Sequence, residues 1–181
     1  MNRLLTVLLL LLLLLGGGCL SGKSSGTVSV TSPDFFGFSD YLARQLVVNR
    51  SQGGTVKGER IILTSMVNLE NLYETSAFGR TMTESLSTIL FKYGFRVAEI
   101  RKTPSVFIRN QHGEMVLSRD VALLAENQAV HGVISGTYSL TPTTVIINVR
   151  LLDATSQEVL SVAGMELQRT RNINYLLTER G

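Results

Sequence analysis

Residues 145–167, VIINVRLLDATSQEVLSVAGMEL, contain the pattern that decides the fold. Apolar side chains occupy every second position from 145 to 151, which is the spacing of a strand that is buried on one face. Turn-forming residues follow at 154–157, and a second apolar run begins after them. The sequence therefore predicts two antiparallel strands, over residues 145–153 and 159–167, joined as a hairpin.

The same alternation places Asn148 and Arg150 on the opposite, outward face of the first strand. Another strand is predicted upstream, over residues 130–139. Within it, Gly132 and Gly136 lie on one face. Glycines at such positions admit either a closely packed neighbour or a docking groove for a partner, and the sequence leaves both alternatives open.

Helical periodicity is clearest between Phe78 and Tyr93, where apolar residues recur every three or four positions. Gly94 follows, and it supplies the left-handed residue that commonly ends a helix. Phe95 is then expected to fold back onto Leu90. The sequence predicts that this helix stops at Gly94.

Two further helices are predicted from their N-caps. Ser39 precedes an apolar stripe that runs to about residue 49, and Ser118 precedes a second one, with Asp120 in its first turn. A buried strand over residues 61–67 and a hairpin turn over residues 110–113 complete the pattern. The predicted fold class is α/β (α+β): a mixed, mainly antiparallel sheet with about three helices packed largely on one face.

The composition excludes several classes of function. The 181 residues carry 17 basic and 14 acidic side chains, and the formal net charge of +3 is not concentrated in a basic stripe of the kind that binds nucleic acid. One cysteine cannot form an intramolecular disulfide, and two histidines leave little material for a zinc site. We therefore expect no metal, no cofactor, no nucleic acid and no small-molecule substrate.

The sequence also predicts that the protein is not an enzyme. Ser118 and Asp120 can be combined with His112 or His131 into a triad, but their spacing does not place them within hydrogen-bond reach. The serine and the aspartate are explained as residues that start a helix, and the histidines as a turn residue and a strand residue. Sequence motifs for a nucleophile elbow, a zinc protease, a phosphate loop or a dinucleotide site do not occur.

The first 18 residues have the layout of a signal peptide. Arg3 supplies a positive charge, and an apolar run over residues 4–15 is interrupted only by Thr6. As a helix, that run would be about 18 Å long, well short of the ~30 Å hydrocarbon core of a bilayer. The run is therefore interpreted as a secretory leader and not as a permanent membrane span.

Cys19 follows three glycines directly. The leader, the small residues and the cysteine resemble a bacterial lipobox, in which the thiol takes a diacylglyceryl group and becomes the new N-terminus after cleavage. Gly16 stands where such boxes most often carry leucine, and an ordinary signal peptide followed by a stray thiol is the alternative. Leu20 replaces the aspartate that often retains lipoproteins in the inner membrane. We expect an anchor in the outer membrane, with the domain in the periplasm.

The chain is accordingly divided into four parts. Residues 1–18 are the predicted signal peptide, and residues 19–34 are the predicted lipidated cysteine with a flexible tether of small and polar residues. The folded domain covers residues 35–168, and residues 169–181 form a C-terminal tail. A tether of 15 residues reaches at most about 50 Å, which favours action close to the membrane.

Five segments of the domain carry a family resemblance. They are residues 78–95, 104–109 (PSVFIR), 117–120 (LSRD), 136–138 (GTY) and 149–153 (VRLLD). Together with the lipobox, these segments resemble the FlgO family, over about residues 38–167. The resemblance implies a noncatalytic outer-membrane lipoprotein that acts as an interaction or structural module of the bacterial flagellum and is needed for motility or flagellar stability.

The last strands also resemble envelope lipoproteins of the curli-secretion and penicillin-binding-protein-activator kind. A second function therefore stays open, in which the protein activates or scaffolds another envelope machine, such as a cell-wall synthase or a secretion system. The expected partners are the outer membrane, through the lipid, and a flagellar basal-body ring or other envelope proteins. Asn148, Arg150, Arg169 and Arg171 are the candidate partner contacts.

We predict that Cys19 carries the lipid. Because no other thiol is present, Cys19→Ser should leave an unlipidated precursor. Metabolic labelling with a fatty-acid analogue should mark the wild type and leave the variant unmarked. Equal labelling of both proteins would contradict the lipobox interpretation.

Overall fold

The computed structural model describes residues 33–50, 57–98, 108–111, 114–117 and 129–178, of which 108–111 and 114–117 are described by their backbone. The helices among these residues are α1 (Phe35–Val48), α2 (Ala77–Lys92) and α3 (Arg171–Thr178). The strands are β1 (Arg60–Leu63), β2 (Val67–Asn68), β3 (Arg96–Ala98), β4 (Ile108–Gln111), β5 (Glu114–Leu117), β6 (Gly132–Leu140), β7 (Thr144–Asp153) and β8 (Val159–Gln168). The leader, Cys19 and the predicted helix after Ser118 lie outside the described residues.

Six of these strands form one mixed sheet. Its order is β3–β1–β6–β7–β8, and β2 pairs with β6 beyond the end of β1. β1 is parallel to β3 and β6, and β2 is parallel to β6. The long pairings of β7 with β6 and with β8 are antiparallel, as is the separate pair of β4 and β5. The predicted α+β class with a mixed, mainly antiparallel sheet is confirmed.

The hairpin of β7 and β8 forms as the alternation predicts. The pairing runs from Val145 opposite Leu167 to Leu151 opposite Ser161, with a register shift after Leu151. Asp153 stabilises the turn, because its carboxylate accepts hydrogen bonds from two backbone N–H groups at 2.8 Å. Along β7 as far as Leu151, alternate side chains are buried on the helix-covered face and exposed or partly exposed on the opposite face.

The described helices pack on one face of the sheet. Leu42 of α1, Leu86 of α2 and Ile173 of α3 join Ile147 and Ala163 of the hairpin in a single buried cluster. A smaller cluster lies on the opposite face and consists of Ile62, Val130, Val133, Leu152 and Ala154. Residues 171–178 of the predicted C-terminal tail thus form α3, which packs against α2.

Helix α1 begins earlier than predicted. Asp34 is its N-cap, with the carboxylate accepting a hydrogen bond from the N–H of Gly37 at 2.9 Å. Ser39, the predicted cap, lies inside the helix and is fully buried. The first turn is rich in aromatic residues and contains a glycine, which all have modest or low helix propensity, so packing determines its conformation more than local preference does.

Helix α2 ends as predicted. Gly94 has a φ of 95°, and its N–H donates to the carbonyl of Phe91 at 3.0 Å. The N–H of Phe95 donates to the carbonyl of Leu90 at 3.2 Å, and both side chains are buried. These two hydrogen bonds are the pair that defines a Schellman motif.

The strand predicted over residues 61–67 is interrupted. Between β1 and β2 the backbone turns toward α2, where the N–H of Met66 donates to Oγ1 of Thr83 at 2.9 Å. The carbonyl of Met66 accepts a hydrogen bond from Oγ1 of Thr75 at 2.8 Å. Because side chains satisfy both backbone groups of Met66, this residue leaves the sheet without losing its hydrogen bonds.

The glycines of β6 make room for neighbouring side chains. A Cβ atom on Gly136 would lie 2.6 Å from Cγ of Met66, and one on Gly132 would lie 2.8 Å from Cδ1 of Leu151. Both positions are buried on the helix-covered side of β6. Of the two alternatives left open by the sequence, the structure therefore shows close packing.

We expect Gly136→Ala to lower the free energy of unfolding by about 1–3 kcal/mol, because the added methyl group overpacks the site of Met66. Gly164 of β8 is the matched control, since a Cβ there would meet its nearest neighbour at 3.4 Å. Gly164→Ala should change stability by less than about 0.5 kcal/mol. Denaturant unfolding of the two variants measures the difference, and equal effects would contradict the packing argument.

Candidate interaction surface

The accessible part of the sheet is the face of β7 and β8 that the helices leave uncovered. We call Asn148, Arg150, Val162 and Glu166 the open hairpin face, because all four side chains are exposed. Arg150 lies opposite Val162 in the register, and Asn148 lies opposite Gly164. The face combines hydrogen-bond donors, a carboxylate and an apolar side chain, which is the composition of a polar protein contact.

The open hairpin face ends at β6. Ser135 and Thr137 lie opposite Arg150 and Asn148 in the register, and both are buried. The hydroxyl of Ser135 has no hydrogen-bond partner within the part of the chain that the structure describes. Among the described residues, a partner of this face would therefore meet side chains of β7 and β8.

The outer edge of β8 is covered by polar side chains of α1. The amide of Gln45 donates to the carbonyl of Gly164 at 3.0 Å and accepts from its N–H at 3.3 Å. Asn49 donates to the carbonyl of Val162 at 3.0 Å. An uncovered edge would invite another strand to pair with it. Gln45 and Asn49 therefore occupy the backbone groups of Gly164 and the carbonyl of Val162, so the middle of this edge offers side chains rather than free backbone for recognition.

The two candidate arginines of the tail have different environments. Arg169 is half-buried, and its guanidinium donates to Oδ1 of Asn174 and to the carbonyl of Thr141, both at 2.8 Å. It thereby joins α3 to the turn between β6 and β7. Arg171 is exposed at the start of α3. Of the two, Arg171 presents its side chain to solvent.

The structure does not bring the four candidate contacts into one patch. Gln168, the residue before Arg169, pairs with Thr144, and Asn148 lies four residues further along β7. That separation is about 13 Å along the strand. The tail arginines therefore lie at the end of the sheet, whereas Asn148 and Arg150 lie on its face.

Hydrogen bonds and burial explain the shifted pKa values of Asp153 and Tyr138. Hydrogen bonds from the backbone N–H groups of Ser156 and Thr155 lower the pKa of Asp153. Burial raises the pKa of Tyr138, whose hydroxyl donates to Oγ of Ser76 at 2.9 Å. In the described ranges, no group of three or more histidine, cysteine, aspartate or glutamate residues is placed to hold a metal ion.

Of the four residues considered for a triad, the structure describes one. Ser118, Asp120 and His112 lie outside the described residues. His131 is exposed, and its Nδ1 accepts a hydrogen bond from the backbone N–H of Arg60 at 3.3 Å. His131 lies immediately before Gly132, the first residue of β6.

The comparison with protein families identifies the chain. The model of the family described as FlgO protein matches residues 40–172. The chain belongs to the FlgO family. The FlgO match covers most of α1, the whole main sheet and the start of α3, and it confirms the family resemblance seen in the sequence. Curated proteins give no match.

Solved structures show the same fold at low identity to this FlgO-family chain. The LpoB C-terminal domain from Escherichia coli is 14% identical, covers 76% of this chain and 100% of its own length, and has a TM-score of 0.56. The LpoB C-terminal domain from Salmonella enterica is 15% identical, with the same coverage and a TM-score of 0.55. None of the helices in the described ranges is long and apolar enough to cross a membrane.

We predict that the two tail arginines contribute unequally to the stability of the domain. Arg169→Ala should lower the free energy of unfolding by about 1.5–3 kcal/mol, because two hydrogen bonds from a charged group are lost. Arg171→Ala should change it by less than about 0.5 kcal/mol, since the side chain is exposed. Thermal or denaturant unfolding measures both values. Equal destabilisation would show that the hydrogen bonds of Arg169 do not hold α3 in place.

Proposed function

We propose that this FlgO-family protein is a noncatalytic outer-membrane lipoprotein that acts as an interaction module of the bacterial flagellum. The match to the family over residues 40–172 carries this proposal, because it covers nearly the whole folded domain. The role follows from the family's association with flagella and would be to support motility or to stabilise the flagellum through a basal-body ring.

A lipid on Cys19 would explain how a small contact surface can be sufficient for binding a partner. Two or three acyl chains anchor a protein stably, at about 0.8 kcal/mol for each buried methylene group. Anchoring confines the domain to a thin layer beside the membrane, where the effective concentration of a neighbouring partner is high. A weak contact made by a few side chains is then occupied most of the time.

The open hairpin face is the proposed contact. Asn148 and Arg150 supply hydrogen-bond donors, and Val162, which is 47% exposed, supplies an apolar element between them and the edge. Since Gln45 and Asn49 occupy backbone groups of Gly164 and Val162 in the middle of β8, the partner is expected to contact side chains there. Arg171, at the end of the sheet, contacts only a larger partner that spans more than about 13 Å.

The likeness to the LpoB domains favours one second candidate. A protein of this fold could activate or scaffold another envelope machine, such as a cell-wall synthase or a secretion system. Reach distinguishes the two roles, since the tether of 15 residues spans about 50 Å when fully extended. A short tether favours a partner that lies near the anchoring membrane, as a basal-body ring of the outer membrane does.

We expect deletion of the gene to reduce swimming or flagellar stability without changing growth or cell shape. Swimming plates, flagellar counts and growth curves measure these effects, and purified hook-basal bodies of the wild type should contain the protein. The second candidate predicts the reverse pattern, with antibiotic sensitivity and altered cell shape while motility is preserved. Clean absence of the protein from basal bodies would remove the flagellar role.

The contact itself can be tested by reversing one charge. Arg150→Glu should impair swimming while the protein remains folded and abundant. Arg44→Glu is the matched control, because Arg44 is exposed on α1, on the helix-covered side of the sheet. Normal swimming in both variants would exclude the open hairpin face as the contact.

A further inference from the structure

The chain enters the folded domain at an end where several aromatic rings are in contact. Asp34 and Phe35 begin α1, and the ring centroid of Phe35 lies 6.0 Å from that of Phe78 at the start of α2. Phe78 in turn lies 5.7 Å from Tyr138, near the end of β6. These contacts place the end of the tether beside the N-terminus of α2 and the last residues of β6.

The same end exposes apolar side chains. We call Phe36, Leu69, Tyr73 and Leu140 the tether-end rim, and their exposed fractions are 55%, 48%, 67% and 39%. Phe36 lies between Phe35 and Phe38 in the first turn of α1. Leu69 is held beside β6, because its N–H donates to the carbonyl of Tyr138 at 2.8 Å.

The loop that carries Leu69 and Tyr73 is compact. The N–H of Asn71 donates to the carbonyl of Asn68, the N–H of Glu74 donates to the carbonyl of Asn71, and Oδ1 of Asn71 accepts from the N–H of Tyr73. Because these backbone groups are already paired, the loop can present apolar side chains to an apolar medium at a reduced desolvation cost.

We propose that the tether-end rim contacts the lipid surface to which the chain is anchored. The inference rests on the proposed lipid at Cys19. The tether predicted from the sequence has 15 residues, so it holds this end of the domain within about 50 Å of the anchoring lipid. Aromatic and aliphatic side chains of the kind found in the rim partition into the boundary between headgroups and acyl chains.

The charges around the rim define how it binds. Glu70 and Glu74 lie in the same loop and are exposed, and Asp34 is exposed at the start of α1. Cations lie at the same end: Arg169 donates to the carbonyl of Thr141, next to Leu140, and Arg171 is exposed at the start of α3. Because acidic and basic groups around the rim largely offset each other, the contact depends on the apolar side chains, and neither an anionic headgroup nor low salt is required for it.

Contact through the rim fixes the orientation of the domain. Helix α2 leads away from this end, so its last turn with Phe91 lies about 20 Å from Phe78. The strands of the hairpin then stand away from the membrane, and the open hairpin face points along the membrane plane. A partner beside the anchored protein would meet Asn148 and Arg150 without having to enter the lipid.

The absence of tryptophan from the sequence allows a direct test. Tyr73→Trp places a single fluorophore in the rim, and Phe91→Trp places one at the far end, where Phe91 is 70% exposed. Each full-length mature lipoprotein is reconstituted into phosphatidylethanolamine–phosphatidylcholine vesicles with and without brominated acyl chains. Bromine quenches only a tryptophan that reaches the acyl boundary.

We expect brominated lipid to reduce the fluorescence of the Tyr73→Trp protein about twofold and to leave the Phe91→Trp protein unchanged, at low and at high salt. Lack of quenching in both proteins, or equal quenching in both, would overturn the proposal. Quenching that requires anionic lipid or disappears in salt would also overturn it. Failure of the lipid anchor is seen separately, as wild-type protein that does not enter the vesicles or does not label on Cys19.

Discussion

The domain depends on the close approach of Met66 to two glycines. The carbonyl of Met66 would lie 2.3 Å from a Cβ on Gly79, and its side chain would lie 2.6 Å from a Cβ on Gly136. Any larger residue at either position would push α2 or β6 away. The contact joins the first turn of α2 to the central strand, and the hydrogen bonds of Thr75 and Thr83 keep it in place. The core between helices and sheet is built around this contact.

A second constraint operates at the other side of the sheet, where α1 covers the edge of β8. Hydrogen bonds from Gln45 and Asn49, together with one from Oγ of Ser161 to the carbonyl of Leu46 at 2.7 Å, tie the helix to that strand. The bonds of Gln45 and Asn49 replace, at Gly164 and Val162, the partners that another strand would supply. The consequence for function is chemical, since recognition then depends on the exposed side chains of β7 and β8.

Within the described residues, these two constraints leave the domain with one covered face and one partly open face. Confinement near a membrane changes what such a surface needs to achieve. An anchored domain pays most of the entropy of encounter through its lipid, so a small contact can be specific without being strong. Orientation by the tether-end rim would add to this effect, because the open hairpin face would be presented in a fixed direction.

The sequence alone determined the features that depend on near neighbours along the chain. The alternation from 145 to 151, the glycine that ends α2 at position 94 and the turn around Asp153 are local patterns, and each was predicted correctly. The family could also be recognised from short segments of the domain, as the match over residues 40–172 confirms.

Tertiary structure decided the features whose partners lie far away in the sequence. The interruption at Met66 depends on Thr83 and on Gly136, and the cover over β8 joins Gln45 to Gly164. The two roles of the tail arginines differ because Thr141 lies within hydrogen-bond distance of Arg169 alone. Periodicity reports which face of an element is apolar, but it does not report which residue from another element will meet it, because that depends on how the packed elements share space.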